Sequence, residues 1–266
     1  MIGPTAQALA AQHPPADHPI PRLVRDLASG RLVPRWLNGT GGLTVAEARP
    51  DGDGFVRYLK WSPRRSKESL WDEAERLRWL EHHSDHPVPK VLDYVDEGGA
   101  EVLVTSALQG ESAVAEHWKK HPESAIKAIA VGLRRLHSLP TDDCPFQWTA
   151  QERIAEISAV NAHPGTKPTQ LAQLASATPD VDRTVICHGD PCAPNTLIHP
   201  SGQFLAHVDL GRLGLADRWA DLAVASMALE WNYGANAEHR ALFWDTYGVE
   251  PDEERIKFYR DLWNAE

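Results

Sequence analysis

The sequence predicts an α+β protein with two lobes, a small antiparallel sheet with one main helix followed by a larger, mainly helical part. Alternating apolar segments separated by glycine-rich turns fill the first 108 residues, whereas apolar residues at helical spacing dominate the remainder. The length of 266 residues is long for one typical domain and short for two independent ones. We therefore expect one lobe over residues 21–108 and the other over 109–266.

The first 20 residues are expected to form a flexible extension. Residues 1–35 contain Pro4, Pro14, Pro15, Pro19, Pro21 and Pro34 and little apolar periodicity. Such a composition buries too little apolar surface to offset the entropy of ordering. Strands are expected only from Trp36 onward.

The small lobe is predicted from two hairpins and the helix between them. The first hairpin joins residues 43–49 and 55–61 at Asp51-Gly52-Asp53-Gly54, and the second joins 88–95 and 100–106. Ser69, with Asp72 three residues later, is a plausible helix cap. In the large lobe we expect a helix ending near His137, short strands at 185–187, 196–198 and 204–208, and helices at 218–231 and beyond 238.

The composition excludes some classes of partner. The formal net charge is −10, which argues against a nucleic-acid ligand because phosphate binding needs a basic surface. No stretch approaches the ~20 apolar residues that span a bilayer, and the first residues lack a secretion signal. We expect a cytoplasmic protein, a monomer or weak dimer, and the negative charge is compatible with a cationic small substrate.

Phosphoryl-transfer chemistry is indicated by a motif in the large lobe. His188-Gly189-Asp190 is followed by Asn195 five residues on, and then by Asp209-Leu210-Gly211. Asp190 can accept a hydroxyl proton, while Asn195 and Asp209 offer the oxygen ligands that Mg²⁺ prefers. Gly211 allows a sharp turn after Asp209. The spacing repeats the protein-kinase plan of Asp, Asn at +5 and a later Asp-x-Gly.

A kinase also needs a lysine on a strand and a glutamate on the next helix. Lys60 is expected to end its strand. Glu73 falls on the rim of the helix's apolar face, whereas Glu75 falls on the solvent side, which makes Glu73 the predicted partner. The turn 39–42 is either a phosphate-binding loop or an ordinary hairpin connection.

These residues resemble the aminoglycoside phosphotransferase family, antibiotic kinases with the protein-kinase fold. The stretches that carry the resemblance are 58–60, 79–81, 136–139, 143–146, 187–190 with Asn195, and 209–218 with Asp221. The resemblance implies that Asp190 is the base, that Asn195 and Asp209 bind Mg²⁺, and that Lys60 with Glu73 positions the phosphates of ATP, with GTP also possible. It further implies that Ser106 and Leu108 contact adenine through their backbone and that Arg212 touches the substrate or orients the catalytic loop.

The last segment of the sequence departs from the family pattern. The family usually closes with an acidic, aromatic-ended tail, but Trp263 stands here where an Asp is expected. Candidate carboxylates for a cationic substrate are Glu230, Asp261 and Glu266, and for each of them an ordinary surface charge is the alternative.

The predicted function is transfer of the ATP γ-phosphate to the 3′ or 3″ hydroxyl of an aminoglycoside antibiotic, conferring resistance. One alternative is a kinase of the same fold that acts on another small alcohol, such as a sugar, a choline-like amine or a macrolide. A non-catalytic nucleotide-binding module is the third reading. The complete set of predicted catalytic residues argues against it, since decayed kinases usually lose at least one.

Overall fold

The chain divides into two compact units in the computed structural model, which describes residues 13–39, 41–52, 54–64, 69–160 and 168–266. The described residues of Met1–His83, together with Val88–Leu108, form the first unit. The second consists of Ser84–Pro87 and the described part of Gln109–Glu266.

The first unit is built on a five-stranded antiparallel sheet with the order β1-β2-β3-β5-β4. Its strands are β1 (Leu32–Leu37), β2 (Leu43–Ala48), β3 (Phe55–Pro63), β4 (Val91–Glu97) and β5 (Ala100–Ser106). Val45, Leu59 and Val102 are fully buried at the centre of one apolar cluster on this sheet. The strand order places β3 in the middle of the sheet, with a paired neighbour on each side.

Residues 21–35 form a helix and the start of a strand that the composition does not predict. Residues 13–20 are irregular, but a short helix α1 (Arg22–Leu27) follows, and Val24 on it is fully buried. The first strand begins at Leu32, before the predicted Trp36. Pro34 is tolerated there because β1 is an edge strand, which needs amides on one side only. Residues 1–12 of the predicted flexible extension, 1–20, lie outside the described residues, and the flexibility of the extension stays a prediction.

The helix α2 (Leu70–His83) begins where the sequence predicts. The Ser69 hydroxyl accepts a hydrogen bond from the Asp72 amide at 3.2 Å, and such a cap contributes about 1 kcal/mol. Leu77 and Leu80 are buried on the apolar face of the helix. The following strand, β4, starts at Val91 rather than at residue 88, because Pro89 cannot donate to a strand ladder.

The second unit is mainly helical, as predicted. Its helices are α3 (Glu116–Lys119), α4 (Pro122–Leu136), α5 (Ala150–Val160), α6 (Pro168–Ser176), α7 (Trp219–Tyr233), α8 (Ala237–Tyr247) and α9 (Glu253–Trp263). Short strands β6 (Glu111–Ser112), β8 (Thr196–Ile198) and β9 (Phe204–His207) form one antiparallel sheet. A second small sheet pairs β7 (Thr184–Cys187) with β10 (Gly214–Asp217).

The core of the second unit forms around α7, whose residues from Trp219 to Leu229 are all buried. On α4, Gly132 lets Phe204 approach closely, since a Cβ at that position would lie 2.5 Å from the Phe204 ring. No helix among the described residues combines the length and apolar character required to cross a membrane.

Candidate active site

In the first unit, Lys60 and Glu73 form an ion pair. The Lys60 ammonium lies 2.7 and 2.9 Å from the two carboxylate oxygens of Glu73. The Glu73 side chain is 5% exposed and that of Lys60 is 19% exposed, so the pair is largely shielded from water. A lysine held in this way keeps its charge at a fixed position, which suits it to bind an anion.

Sequence reasoning identified the correct acidic partner on α2. Glu73 is buried with the apolar face of the helix, whereas Glu75 bonds to Arg78 on the same helix at 3.0 Å. One detail differs from the prediction: Lys60 lies inside β3, which continues to Pro63. The role of Lys60 and Glu73 in nucleotide binding stays a prediction.

The glycine-rich turn after β1 closes on Asn38. The Asn38 side-chain oxygen accepts from the Gly42 amide at 2.5 Å, and its carbonyl accepts from the Gly41 amide at 3.2 Å. Both amides are thus turned toward the hairpin, which favours an ordinary connection over a phosphate loop. Thr40 in this turn lies outside the described residues, as does Asp53 in the next turn.

The two residues expected to meet adenine lie at the end of the first unit. Ser106 is the last residue of β5; its amide donates to the Lys90 carbonyl, and its hydroxyl accepts from the Lys90 amide, both at 2.9 Å. Leu108 is the last residue of the first unit. Their contact with a nucleotide stays a prediction.

In the second unit, the motif forms the loop between β7 and β8, as predicted. The backbone amides of His188 and Gly189 donate to the two oxygens of the buried Asp221 carboxylate, at 2.6 and 3.0 Å. His137 also bonds to Asp221, at 2.9 Å. Asp221 on α7 thus fixes the backbone immediately before Asp190.

The charge on Asp221 is maintained by its partners. Burial by itself raises the pKa of this carboxyl group, but the hydrogen bond and charge of His137, together with those of His188, hold it below its ordinary value. Asp221 is therefore ionised at neutral pH, and its bonds to the loop are charge-assisted.

Asp190 presents a carboxylate oxygen without a protein donor. Its Oδ1 atom is buried and has no hydrogen-bond partner among the described residues. The neighbouring Cys192 thiol stays protonated, because burial, and after it the Asp190 charge, raises its pKa. A buried, unsatisfied carboxylate oxygen is suited to accept the proton of a bound hydroxyl group.

Asn195 and Asp209 are brought together by the β8–β9 hairpin. Asn195 donates from its side chain to the Asp190 carbonyl at 2.9 Å, and its own carbonyl accepts from the Val208 amide at 3.0 Å. Asp209 follows directly and is exposed. The hairpin therefore places the amide oxygen and the carboxylate, both hard ligands, close to the Asp190 loop, and this donor set fits Mg²⁺.

The sequence predicts that Gly211 allows the sharp turn, but the strained backbone conformation occurs at Asp209 itself. With φ at 65°, it is the one described non-glycine residue in the left-handed region. A tight turn follows, in which the Leu213 amide donates to the Leu210 carbonyl at 3.0 Å. Backbone strain of this kind is concentrated at functional sites.

Arg212, in this turn, is held by aromatic and acidic neighbours. Its guanidinium carbon lies 5.5 Å from the ring centroids of both Trp148 and Trp263, and one of its nitrogens lies 3.2 Å from the Glu266 carboxylate. The Arg212 backbone also packs on Gly189, where a Cβ would lie 2.2 Å from the Arg212 carbonyl oxygen. Arg212 therefore contacts the loop that carries Asp190.

The three candidate substrate carboxylates all form ion pairs within the second unit. Glu230 bonds to Arg260 at 2.8 Å and Asp261 to Lys257 at 2.6 Å. Glu266 bonds to Arg212 and, at 2.5 Å, to Arg153. Their contact with a substrate stays a prediction.

Arg153 was missed by sequence reasoning. Its side chain is 1% exposed, which makes it the largest fully buried side chain of the described residues. The signal was present on α5, where Ala150, Ile154 and Ile157 form the buried face and Arg153 falls on the same face at helical spacing. A charged residue in that position requires a buried partner.

Comparison with known proteins identifies the family of the chain. The model of the phosphotransferase enzyme family matches residues 25–259. The chain is 36% identical over 230 residues to an aminoglycoside 3′-phosphotransferase of Streptomyces fradiae, covering 77% of this chain and 84% of that protein. It is 34% identical over 270 residues to a streptomycin 3″-kinase of Streptomyces griseus, covering 93% and 97% of the two chains.

The fold is likewise shared with solved structures. The aminoglycoside phosphotransferase APH(3″)-Id of Streptomyces rimosus superposes with a TM-score of 0.74 at 29% identity, covering 91% of this chain and 95% of that one. Its complex with ADP and streptomycin has a TM-score of 0.69 at 28% identity, with the same coverage. The predicted kinase-like α+β fold is confirmed, and the chain belongs to the phosphotransferase enzyme family, in its aminoglycoside phosphotransferase branch.

Proposed function

We propose that the protein transfers the γ-phosphate of ATP to the 3′ or 3″ hydroxyl of an aminoglycoside and so confers resistance to it in the cytoplasm. The observation that carries the proposal is the loop that Asp221 holds, with an unsatisfied Asp190 oxygen beside Asn195 and Asp209. The relatives include both a 3′-phosphotransferase and a 3″-kinase, which support the two positions equally.

In this proposal each residue has one task. Asp190 accepts the proton of the acceptor hydroxyl as it attacks phosphorus, and the rigid loop keeps its carboxylate oriented. Asn195 and Asp209 hold Mg²⁺, which supplies neutralising charge to the phosphates. Residues 21–108 bind the nucleotide through Lys60, Glu73, Ser106 and Leu108, and residues 109–266 carry catalysis and the acceptor.

A kinase of another small alcohol is the second candidate. It is favoured by the ion pairs of Glu230, Asp261 and Glu266, which already neutralise the carboxylates predicted to bind a polycationic drug. Transfer to streptomycin is supported in turn by the Streptomyces rimosus structure, which holds ADP and streptomycin.

The test is a coupled ATP-consumption assay with streptomycin, kanamycin-type and neomycin-type compounds. We expect Mg²⁺-dependent turnover on at least one of them and a raised inhibitory concentration of that drug in a susceptible host. Asp190→Asn should lower kcat by about 10²–10⁴-fold while leaving Mg²⁺–ADP affinity unchanged. Turnover on a sugar, choline or macrolide with none on the aminoglycosides would replace the first candidate by the second.

A further inference from the structure

Resting on the proposed transfer reaction, we propose that Glu266 is a positioning residue that acts through Arg212 on the metal-binding turn and the catalytic loop. In this role Glu266 does not touch the acceptor. Its carboxylate fixes the guanidinium of Arg212, and Arg212 fixes the backbone on both sides of the site.

Arg212 links two parts of the site because of where its backbone lies. It belongs to the turn Leu210–Leu213 that begins directly after Asp209. Its carbonyl carbon and Cβ would lie 2.6 and 2.5 Å from a Cβ at Gly189, so the turn and the Asp190 loop are in contact there. A shift of Arg212 therefore moves both Asp209 and the residue before Asp190.

The guanidinium of Arg212 lies over two aromatic rings and bonds to one carboxylate. Trp148 and Trp263 each have their ring centroid 5.5 Å from its central carbon, a distance at which a cation is attracted to an aromatic face. Glu266 accepts from one of its nitrogens at 3.2 Å. We call these four residues, Trp148, Arg212, Trp263 and Glu266, the Arg212 clamp.

The clamp is anchored in the core by Arg153. This fully buried guanidinium lies 5.3 Å from the Trp148 centroid and donates to Glu266 at 2.5 Å. The Glu266 carboxylate, 14% exposed, is thus fixed by a residue that cannot move without unpacking α5. Arg153 fixes the position of the Glu266 carboxylate, and this carboxylate in turn fixes the position of the Arg212 guanidinium.

The residue at position 263 determines whether this segment offers a carboxylate to the acceptor or an aromatic ring to Arg212. An Asp there would leave a carboxylate for a cationic acceptor, whereas Trp263 and the paired Glu266 are directed at a cation of the protein itself. The closing segment of this sequence therefore stabilises the catalytic geometry in place of contributing free acidic groups.

The first test compares Glu266→Gln with Asp182→Asn. Asp182 is a matched control, since it accepts from Arg218 at 2.6 Å and from the Trp219 ring nitrogen at 2.9 Å, and neither residue is assigned to the reaction. We expect Glu266→Gln to lower kcat about tenfold, with the acceptor KM changed less than about threefold, and Asp182→Asn to change neither. A raised KM at unchanged kcat would instead identify Glu266 as a direct substrate ligand and overturn the proposal.

A double-mutant cycle separates positioning from loss of stability. In an Arg212→Met background, Glu266→Gln should produce no further loss of kcat, because the Glu266–Arg212 bond through which Glu266 acts is already absent. Phe243→Leu, in the core on α8 and outside the Arg212 clamp, should lower Tm at least as much as Glu266→Gln but leave kcat within about threefold of wild type. Losses of kcat that follow Tm in both variants would show a merely structural role.

Hydrogen exchange gives a readout that does not depend on the acceptor. The Leu213 amide, bonded to the Leu210 carbonyl, should exchange at least about tenfold faster in Glu266→Gln than in Asp182→Asn. If the wild type accepted no aminoglycoside, the proposed function would fail while this result still decided the positioning role. Equal exchange in the two variants would overturn the clamp.

Discussion

Gly189 illustrates how one missing side chain supports the site. Its φ of 83° is in the left-handed region, and the Arg212 carbonyl oxygen occupies the space of a Cβ, at 2.2 Å. The loop before Asp190 can approach the turn after Asp209 only because this residue is a glycine.

Gly189→Ala should therefore lower the free energy of unfolding by more than backbone strain alone would. Gly202 is the matched control, because its φ is 85° but its nearest neighbour would lie 3.7 Å from a Cβ. We expect Gly202→Ala to lower the free energy of unfolding by about 1–2 kcal/mol and to retain kcat. Gly189→Ala should lose more stability in urea denaturation and lower kcat at least about tenfold. Similar results for the two variants would mean that the close approach has no importance for catalysis.

At the scale of elements, the first turn of α7 organises the loop that carries Asp190. Asp221 lies in that turn, and its carboxylate accepts hydrogen bonds from two loop amides and from His137. Asp252 is a partly exposed counterpart, which caps α9 by accepting hydrogen bonds from the amides of Glu254 and Arg255.

Asp221→Asn should remove the charge while keeping the shape. Because an amide has only one acceptor oxygen, one loop amide or His137 loses its partner in a buried place, at a cost of about 3 kcal/mol. We expect Tm and kcat both to fall, as measured by calorimetry and by the coupled assay. Asp252→Asn should change Tm little, because Asn caps helices about as well as Asp. Unchanged turnover in Asp221→Asn would contradict this account of the loop.

Local signals explain which elements could be predicted. The start of α2 and the strands around the motif follow from caps and periodicity over a few residues, and the Lys60–Glu73 pair, 13 positions apart, follows from the order of strand and helix. The strand β1 was placed too late because Pro34 reads as a break unless the strand is known to lie at an edge.

The contacts that could not be predicted from the sequence join residues that are far apart along the chain. The bonds from His188 and Gly189 to Asp221 join residues more than thirty positions apart, and the Arg153–Glu266 pair spans 113. No local pattern reports such pairings, although the type of residue and its place on a buried face indicate that a partner exists.

At the scale of the whole molecule, buried histidines link stability to pH. His86 lies 3.0 Å from His207, and both are buried. Burial, followed by the positive charges of Arg135, His188 and His137, lowers the pKa of His86 to about 3. Burial likewise places the pKa of His207 well below its ordinary value. The pair is therefore neutral in the folded protein.

Stability should consequently fall in mild acid. Below about pH 6.5 these histidines take up protons in the unfolded chain but not in the folded one, so the unfolded state gains up to about 1.4 kcal/mol per pH unit for each of them. We expect the free energy of unfolding in urea to decrease from pH 7.5 to pH 5, and less steeply in His86→Gln. His199→Gln, at an exposed site, should retain the wild-type slope. Equal slopes for all three proteins would exclude the buried pair as the source.

The edges of the first-unit sheet have a consequence for the protein at high concentration. Both outer strands are irregular: the register of β1 shifts after Pro34, and that of β4 shifts between Val91 and Asp93. A shifted register makes regular pairing of such a strand with another chain less favourable. At high protein concentration, the two irregular edges should therefore disfavour edge-to-edge association of copies into fibrous aggregates.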